Sequence, residues 1–243
     1  MKTLISVMVV VALAVASPLC ASTVIFQESF DGTPDTPVNG NNGWIGDSEI
    51  LYSAATIDLG GSAYWPTGSN YPAITKSFSY TPAAGENAYT LTATLDARGA
   101  AGAYSDLRIS DGRSSAHTIG ANLYDYGTTS TLQLGSTNVE AHYSITLPST
   151  TLVDVKIALQ DRRVDYSYRA HGDTAWTSVG GKDLGETFTL SSFNTIEMWG
   201  QAGFVGGMDS ISLTAGTVPE PGTCVLLTMG LFGLLAYAWR KRK

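Results

Sequence analysis

The sequence predicts an all-β fold. It is an antiparallel two-sheet sandwich of jelly-roll type over residues 23–217, preceded by a signal peptide and followed by one transmembrane helix. Three observations predict it. Apolar and polar residues alternate with period two in run after run, as half-buried antiparallel strands require. Gly- and Ser-containing breaks such as Gly99 to Gly102, Asp111-Gly112, Gly127 to Ser130 and Gly180-Gly181 separate those runs. No helical stretch competes before Gly222, and no internal repeat suggests a propeller or solenoid. About a dozen strands in one domain of this length favour two packed sheets.

Residues 1–22 read MKTLISVMVVVALAVASPLCAS. Lys2 supplies a positive start, Leu4 to Ala16 an uncharged apolar run, and Pro18 a break before the small residues Ala21 and Ser22. That order is a secretory signal peptide, with cleavage expected after Ala21 or Ser22 and with Sec export and signal peptidase as implied partners. The apolar run is shorter than the roughly 20 residues that a membrane span needs. Cys20 raises the alternative of a lipoprotein site, but Leu19 before it is larger than the usual small residue.

The strands follow in order. AYTLTATLDAR sets Tyr89, Leu91, Ala93 and Leu95 on one face and Thr90, Thr92, Thr94 and Asp96 on the other. VEAHYSITL sets Val139, Ala141, Tyr143, Ile145 and Leu147 against Glu140, His142, Ser144 and Thr146. TLVDVKIALQ and RRVDYSYRAHG continue with Val153, Val155, Ile157 and Leu159, then Val164, Tyr166 and Tyr168, and Asp161-Arg162 between them predicts a tight hairpin. STVIFQESFDG opens the domain and GGMDSISLTAG closes it. These two segments resemble the first and last strands of concanavalin A-like and laminin G-like sandwiches. The resemblance implies that they pair and close the domain, bringing Asp209 close to the exit of the first strand.

Composition narrows the chemistry. The two cysteines, Cys20 and Cys224, both lie in terminal apolar segments, so the domain carries neither a disulfide nor a thiolate nucleophile. Of the 14 Lys and Arg, Lys2 and Arg240 to Lys243 flank the domain, leaving nine against twenty acids and a charge near −11. This excess argues against nucleic acid or an anionic membrane surface as partner.

Candidate sites are few. Clustered carboxylates on one strand, as a glycoside hydrolase would need, reduce to Asp47 and Glu49, which read as a solvated loop after Trp44. His142, His171, Arg169 and Arg108 supply residue types that a polysaccharide lyase would use, without a recognisable strand motif. Calcium is the cofactor considered: Glu28, Asp31 and Asp209 would approach one another if the terminal strands pair, the alternative being a turn at Asp31-Gly32 and a capping role for Asp209. Zinc is disfavoured with His117, His142 and His171 alone. Trp44, Trp65, Trp176 and Trp199 are available for stacking on sugars, and the loop-like run through Tyr64, Trp65 and Tyr71 is the expected platform, against the alternative that such rings belong to the core.

The tail is the most specific feature. Val218-Pro219-Glu220-Pro221 precedes the uncharged run 222–239, and Arg240, Lys241, Arg242 and Lys243 follow it. At 1.5 Å per residue that run spans roughly 27 Å as a helix, enough for a thin bilayer core. The terminal cations would stay in the cytoplasm as a basic stop. This order resembles the PEP-CTERM sorting signal. The resemblance implies recognition and cleavage by an exosortase-type membrane transpeptidase, with anchoring until processing and then a place at the cell surface or in the extracellular matrix of a bacterium.

The expectation is therefore a non-enzymatic envelope or matrix protein with exopolysaccharide as its partner and no nucleic acid. Two alternatives stay open. One is a polysaccharide-active enzyme, a glycoside hydrolase or lyase, on the same sandwich. The other is a purely structural surface protein without a ligand.

Overall fold

The computed structural model describes residues 22–47, 50–52, 62–64, 72–83, 86–97, 102–111, 118–136, 139–149, 151–160, 162–184, 190–200 and 207–216, together with Gly230, Leu234 and Tyr237. The signal peptide 1–22 (apart from Ser22), the motif 218–221 and the basic stop 240–243 lie outside the described residues, as does nearly all of the apolar run 222–239. Among the described residues no helix is long and apolar enough to cross a membrane.

Fifteen strands are described: β1 (Thr23–Glu28), β2 (Ile45–Gly46), β3 (Leu51–Tyr52), β4 (Ser62–Tyr64), β5 (Ala73–Ser77), β6 (Ala88–Asp96), β7 (Tyr104–Ser110), β8 (Thr118–Asp125), β9 (Thr129–Ser136), β10 (Val139–Pro148), β11 (Val153–Gln160), β12 (Arg163–Ala170), β13 (Thr177–Asp183), β14 (Thr195–Gly200) and β15 (Gly207–Gly216). They form two antiparallel sheets. The eight-stranded sheet runs β13-β12-β11-β6-β15-β4-β3, with β1 also paired to β15, and the seven-stranded sheet runs β10-β9-β8-β7-β14-β5-β2. The first and last strands pair as expected, Glu28 opposite Ile211 and Thr23 opposite Ala215.

Period-two patterning decides which side chains enter the core. Leu91 and Leu95 of β6, Val155 and Ile157 of β11, and Ile211 and Leu213 of β15 are fully buried, as are Leu107, Ile109, Ile119, Leu123 and Leu134 of the facing sheet. Burying each such side chain contributes about 1.5–3 kcal/mol. The hairpin expected at 161–162 forms, with Gln160 opposite Arg163. In β10, an edge strand, Tyr143, Ile145 and Leu147 are only half-buried, because less of the facing sheet covers them.

Trp44 is fully buried rather than free to stack on a sugar. Its ring packs edge-on to Phe26 and stacks on Phe30, each at 6.1 Å between centroids.

Candidate functional site

The outward face of the eight-stranded sheet carries an aligned polar row. Arg169 of β12 lies opposite Asp154 of β11, Asp154 opposite Thr94 of β6, and Thr94 opposite Asp209 of β15. Because side chains alternate, putting Val153 and Val155 in the core forces Asp154 outward, and the same logic turns out Thr94 and Arg169. The row is not left to solvent: Asp154 is 7% exposed and Thr94 4%.

Asp154 is the hub. Its Oδ1 accepts from the Thr94 hydroxyl at 2.7 Å and lies 2.8 Å from His171 Nδ1, while its Oδ2 accepts from Arg169 Nε at 2.8 Å. Burial by itself would raise the Asp154 carboxyl, but the bonds from His171, Thr94 and Arg169 outweigh it and hold the group below the usual carboxylate range. The carboxylate thereby fixes the imidazole by its Nδ1 edge, and fixes the guanidinium by Nε alone.

His171 and Trp176 come from the connection between β12 and β13, where Gly172 adopts φ +90° to turn the chain. The connection folds back over the sheet and brings the indole against two cations. Lys156 Nζ lies 4.7 Å and Arg169 Cζ 4.4 Å from the ring centroid. Thr92, Ala93, Thr94, Asp154, Arg169, His171, Trp176 and Ser210 together line an open cavity of about 230 Å³. Asp209, next to Ser210, feels burial first and then Asp31 and Asp154, which together raise its carboxyl above the usual value against the pull of the Ser210 amide and of His171.

The opposite face of the molecule holds a second polar cluster. On β7, Asp106 accepts from Arg108 Nε at 2.8 Å and from the Tyr104 hydroxyl. On β14, Glu197 accepts from the Ser110 hydroxyl at 2.6 Å and from the Trp199 indole at 3.2 Å. Burial pushes the Asp106 carboxyl up, and Arg108 and Tyr104 offset part of that. Asp106 is 1% exposed, so this cluster serves its own members.

The expected sites fare differently. Glu28 faces inward: its oxygens accept from the Phe30 amide at 3.1 Å, the Trp44 indole at 3.0 Å and the Asn42 amide at 3.4 Å. Asp31 accepts from Ser29 at 2.6 Å. Asp31 and Asp209 are near enough to interact, but among the described residues no three His, Cys, Asp or Glu are grouped to hold a metal ion. Trp65 and Tyr71 lie outside the described residues, and Tyr64 ends β4 with its side chain also outside them. His117 and the side chain of His142 lie outside as well. Of the four lyase-type residues, His171 and Arg169 meet at Asp154 while Arg108 sits on the other sheet. Asp154 and Thr94 were missed as site residues because neither belongs to a motif within its own strand. The signal that would have found them is register: three adjacent strands each offering a polar outward residue at one level.

Comparison with known proteins places the tail and the fold. Residues 217–243 match the PEP-CTERM protein-sorting motif. The motif implies exosortase processing of an exported protein that is membrane-anchored and then processed. In structure the chain is similar to a peanut lectin solved with a 9mer peptide, at TM-score 0.51 and 10% identity, covering 82% of this chain and 100% of the lectin. It is similar to the winged bean acidic lectin complexed with methyl-α-D-galactose, at 0.51 and 9%, over 81% of this chain and 99% of that one. It is also similar to a xylan β-1,4-xylosidase from Bacillus halodurans C-125, at 0.51 and 12%, over 77% of this chain and 38% of that one. At such identities the likeness shows a lectin-type, concanavalin A-like β-sandwich and nothing finer. No curated protein matches the chain in sequence.

Proposed function

We propose that this is an exosortase-sorted surface or matrix protein whose sandwich binds carbohydrate, an exopolysaccharide of the cell envelope, without chemical turnover. The observation that carries the reading is the Asp154 cavity. A half-buried indole, three hydroxyls, a guanidinium, an imidazole and a carboxylate converge on one concavity of about 230 Å³. A sugar ring has an apolar face for the indole and a rim of hydroxyls for the polar groups, and such a site is built from an aromatic wall and a few convergent polar atoms. The winged bean lectin of like fold was solved with methyl-α-D-galactose, which is consistent with the class of ligand.

A second reading, a polysaccharide-active enzyme, is favoured by one contact. A carboxylate 2.8 Å from His171 Nδ1 fixes the tautomer and leaves Nε2 for proton transfer.

The test is to incubate full-length protein with polysaccharide from the cells that make it, and to measure both co-sedimentation and polysaccharide chain length. Retention of the protein with unchanged chain length is expected. Shortened chains with wild type but not with His171→Ala would establish the enzyme instead, and no retention would remove the carbohydrate reading.

A further inference from the structure

We infer that the ligand of the Asp154 cavity is an acidic saccharide, its carboxylate or other anionic substituent met by Arg169 of the cavity wall and by Lys156 of the neighbouring strand. The inference rests on the carbohydrate reading and adds the charge class.

The domain holds nine cations against twenty acids, so two cations at one spot need a cause. Lys156 and Arg169 sit on neighbouring strands and both lie against the Trp176 indole, at 4.7 and 4.4 Å from its centroid. Arg169 spends only Nε on Asp154, so its Nη groups carry no hydrogen bond among the described residues. Lys156 has no carboxylate partner among them either. Cation–ring attraction holds the two side chains in place at the cost of little charge, since a ring quadrupole does not neutralise a cation. Guanidinium Nη donors and an ammonium each receive a carboxylate or sulfate through charge-assisted hydrogen bonds.

Asp154 offsets the Arg169 charge in an ion pair at 2.8 Å, so Lys156 is the cation without a carboxylate partner among the described residues. Asp209 lies three strands away from Arg169 in the same row. The indole then takes the ring of the sugar while the cations take its charge. A domain near −11 repels polyanions everywhere else, so the site would select an acidic residue locally without collecting acidic polymer at large.

The experiment uses full-length protein in detergent and oligosaccharides released from the polysaccharide of the producing cells. They are tested in native form and after chemical reduction of their carboxylates to alcohols, which removes the charge and keeps the backbone. The native oligosaccharides should bind about tenfold or more tightly than the reduced ones, the scale of one charge-assisted hydrogen bond. Lys156→Gln should erase most of that difference by bringing affinity for the native form down toward that for the reduced form. Equal affinity for both forms overturns the acidic class and leaves carbohydrate binding standing. Binding to neither removes the carbohydrate reading, and the acidic class with it.

Discussion

Replacing Glu28 with alanine would strip the acceptor from the Phe30 amide and the Trp44 indole, both of which stay buried. Phe30 also holds φ +53°, a conformation that a bulky residue keeps only when its surroundings impose it. Urea unfolding of Glu28→Ala should therefore show a loss of about 2–3 kcal/mol with an unchanged slope. A silent substitution would mean that the Phe30 and Trp44 donors do not depend on Glu28. Asp154 makes the second residue-scale prediction, through pH. Its folded carboxyl is held below the usual value by His171, Thr94 and Arg169 against burial, so its contribution is full above the unfolded value and lost as pH falls through the folded one. The stability gap between wild type and Asp154→Asn should be level from neutral pH to about 4 and shrink below that. Sequence reasoning reached Glu28 but not its bonds to Phe30, Asn42 and Trp44, because spacing along a chain does not say which way a first-strand carboxylate faces.

At the scale of elements, the alternating runs were legible because burial on one face leaves no freedom in register. β6, β11 and β12 follow the predicted faces residue by residue, and their hairpin lies where Asp161-Arg162 put it. What pattern could not give was the lateral order. β11 pairs with β6 across more than fifty intervening residues, and that pairing alone sets Asp154 beside Thr94. The edges of the two sheets meet at Tyr143, whose ring also lies 6.0 Å from that of Tyr166. Tyr143 of β10 donates its hydroxyl to the Gly181 carbonyl at 3.2 Å and covers Gly180, which has φ +144° and where an added Cβ would come within 2.8 Å of that hydroxyl. Gly180→Ala should lower stability by about 1–2 kcal/mol, from strain and from displacing the ring. Tyr143→Phe should lose only about 1 kcal/mol, the hydrogen bond alone. Equal costs in denaturant melts would mean that the ring, and not the backbone of β13, sets the edge.

For the whole molecule, address and domain are separate problems. The tail was readable from 26 residues because a sorting enzyme reads local sequence, and the match at 217–243 agrees with that. Intact-mass measurement of the protein from its own cells should find the chain cut near Pro219-Glu220-Pro221. A mature chain still ending in Lys243 would make the tail a permanent anchor. The ligand was not readable, since Trp176, Lys156, Arg169 and Asp154 converge only when three strands and a connection pack. The most direct measurement of the central claim is calorimetric titration of full-length wild type and Trp176→Ala with oligosaccharides from the cells' own polysaccharide. Trp176 lies outside the core cluster, so both proteins should melt together. The account predicts saturable binding that weakens about tenfold or more in the variant. Equal affinity in the two proteins would contradict it, because the sugar would then sit somewhere other than the Asp154 cavity.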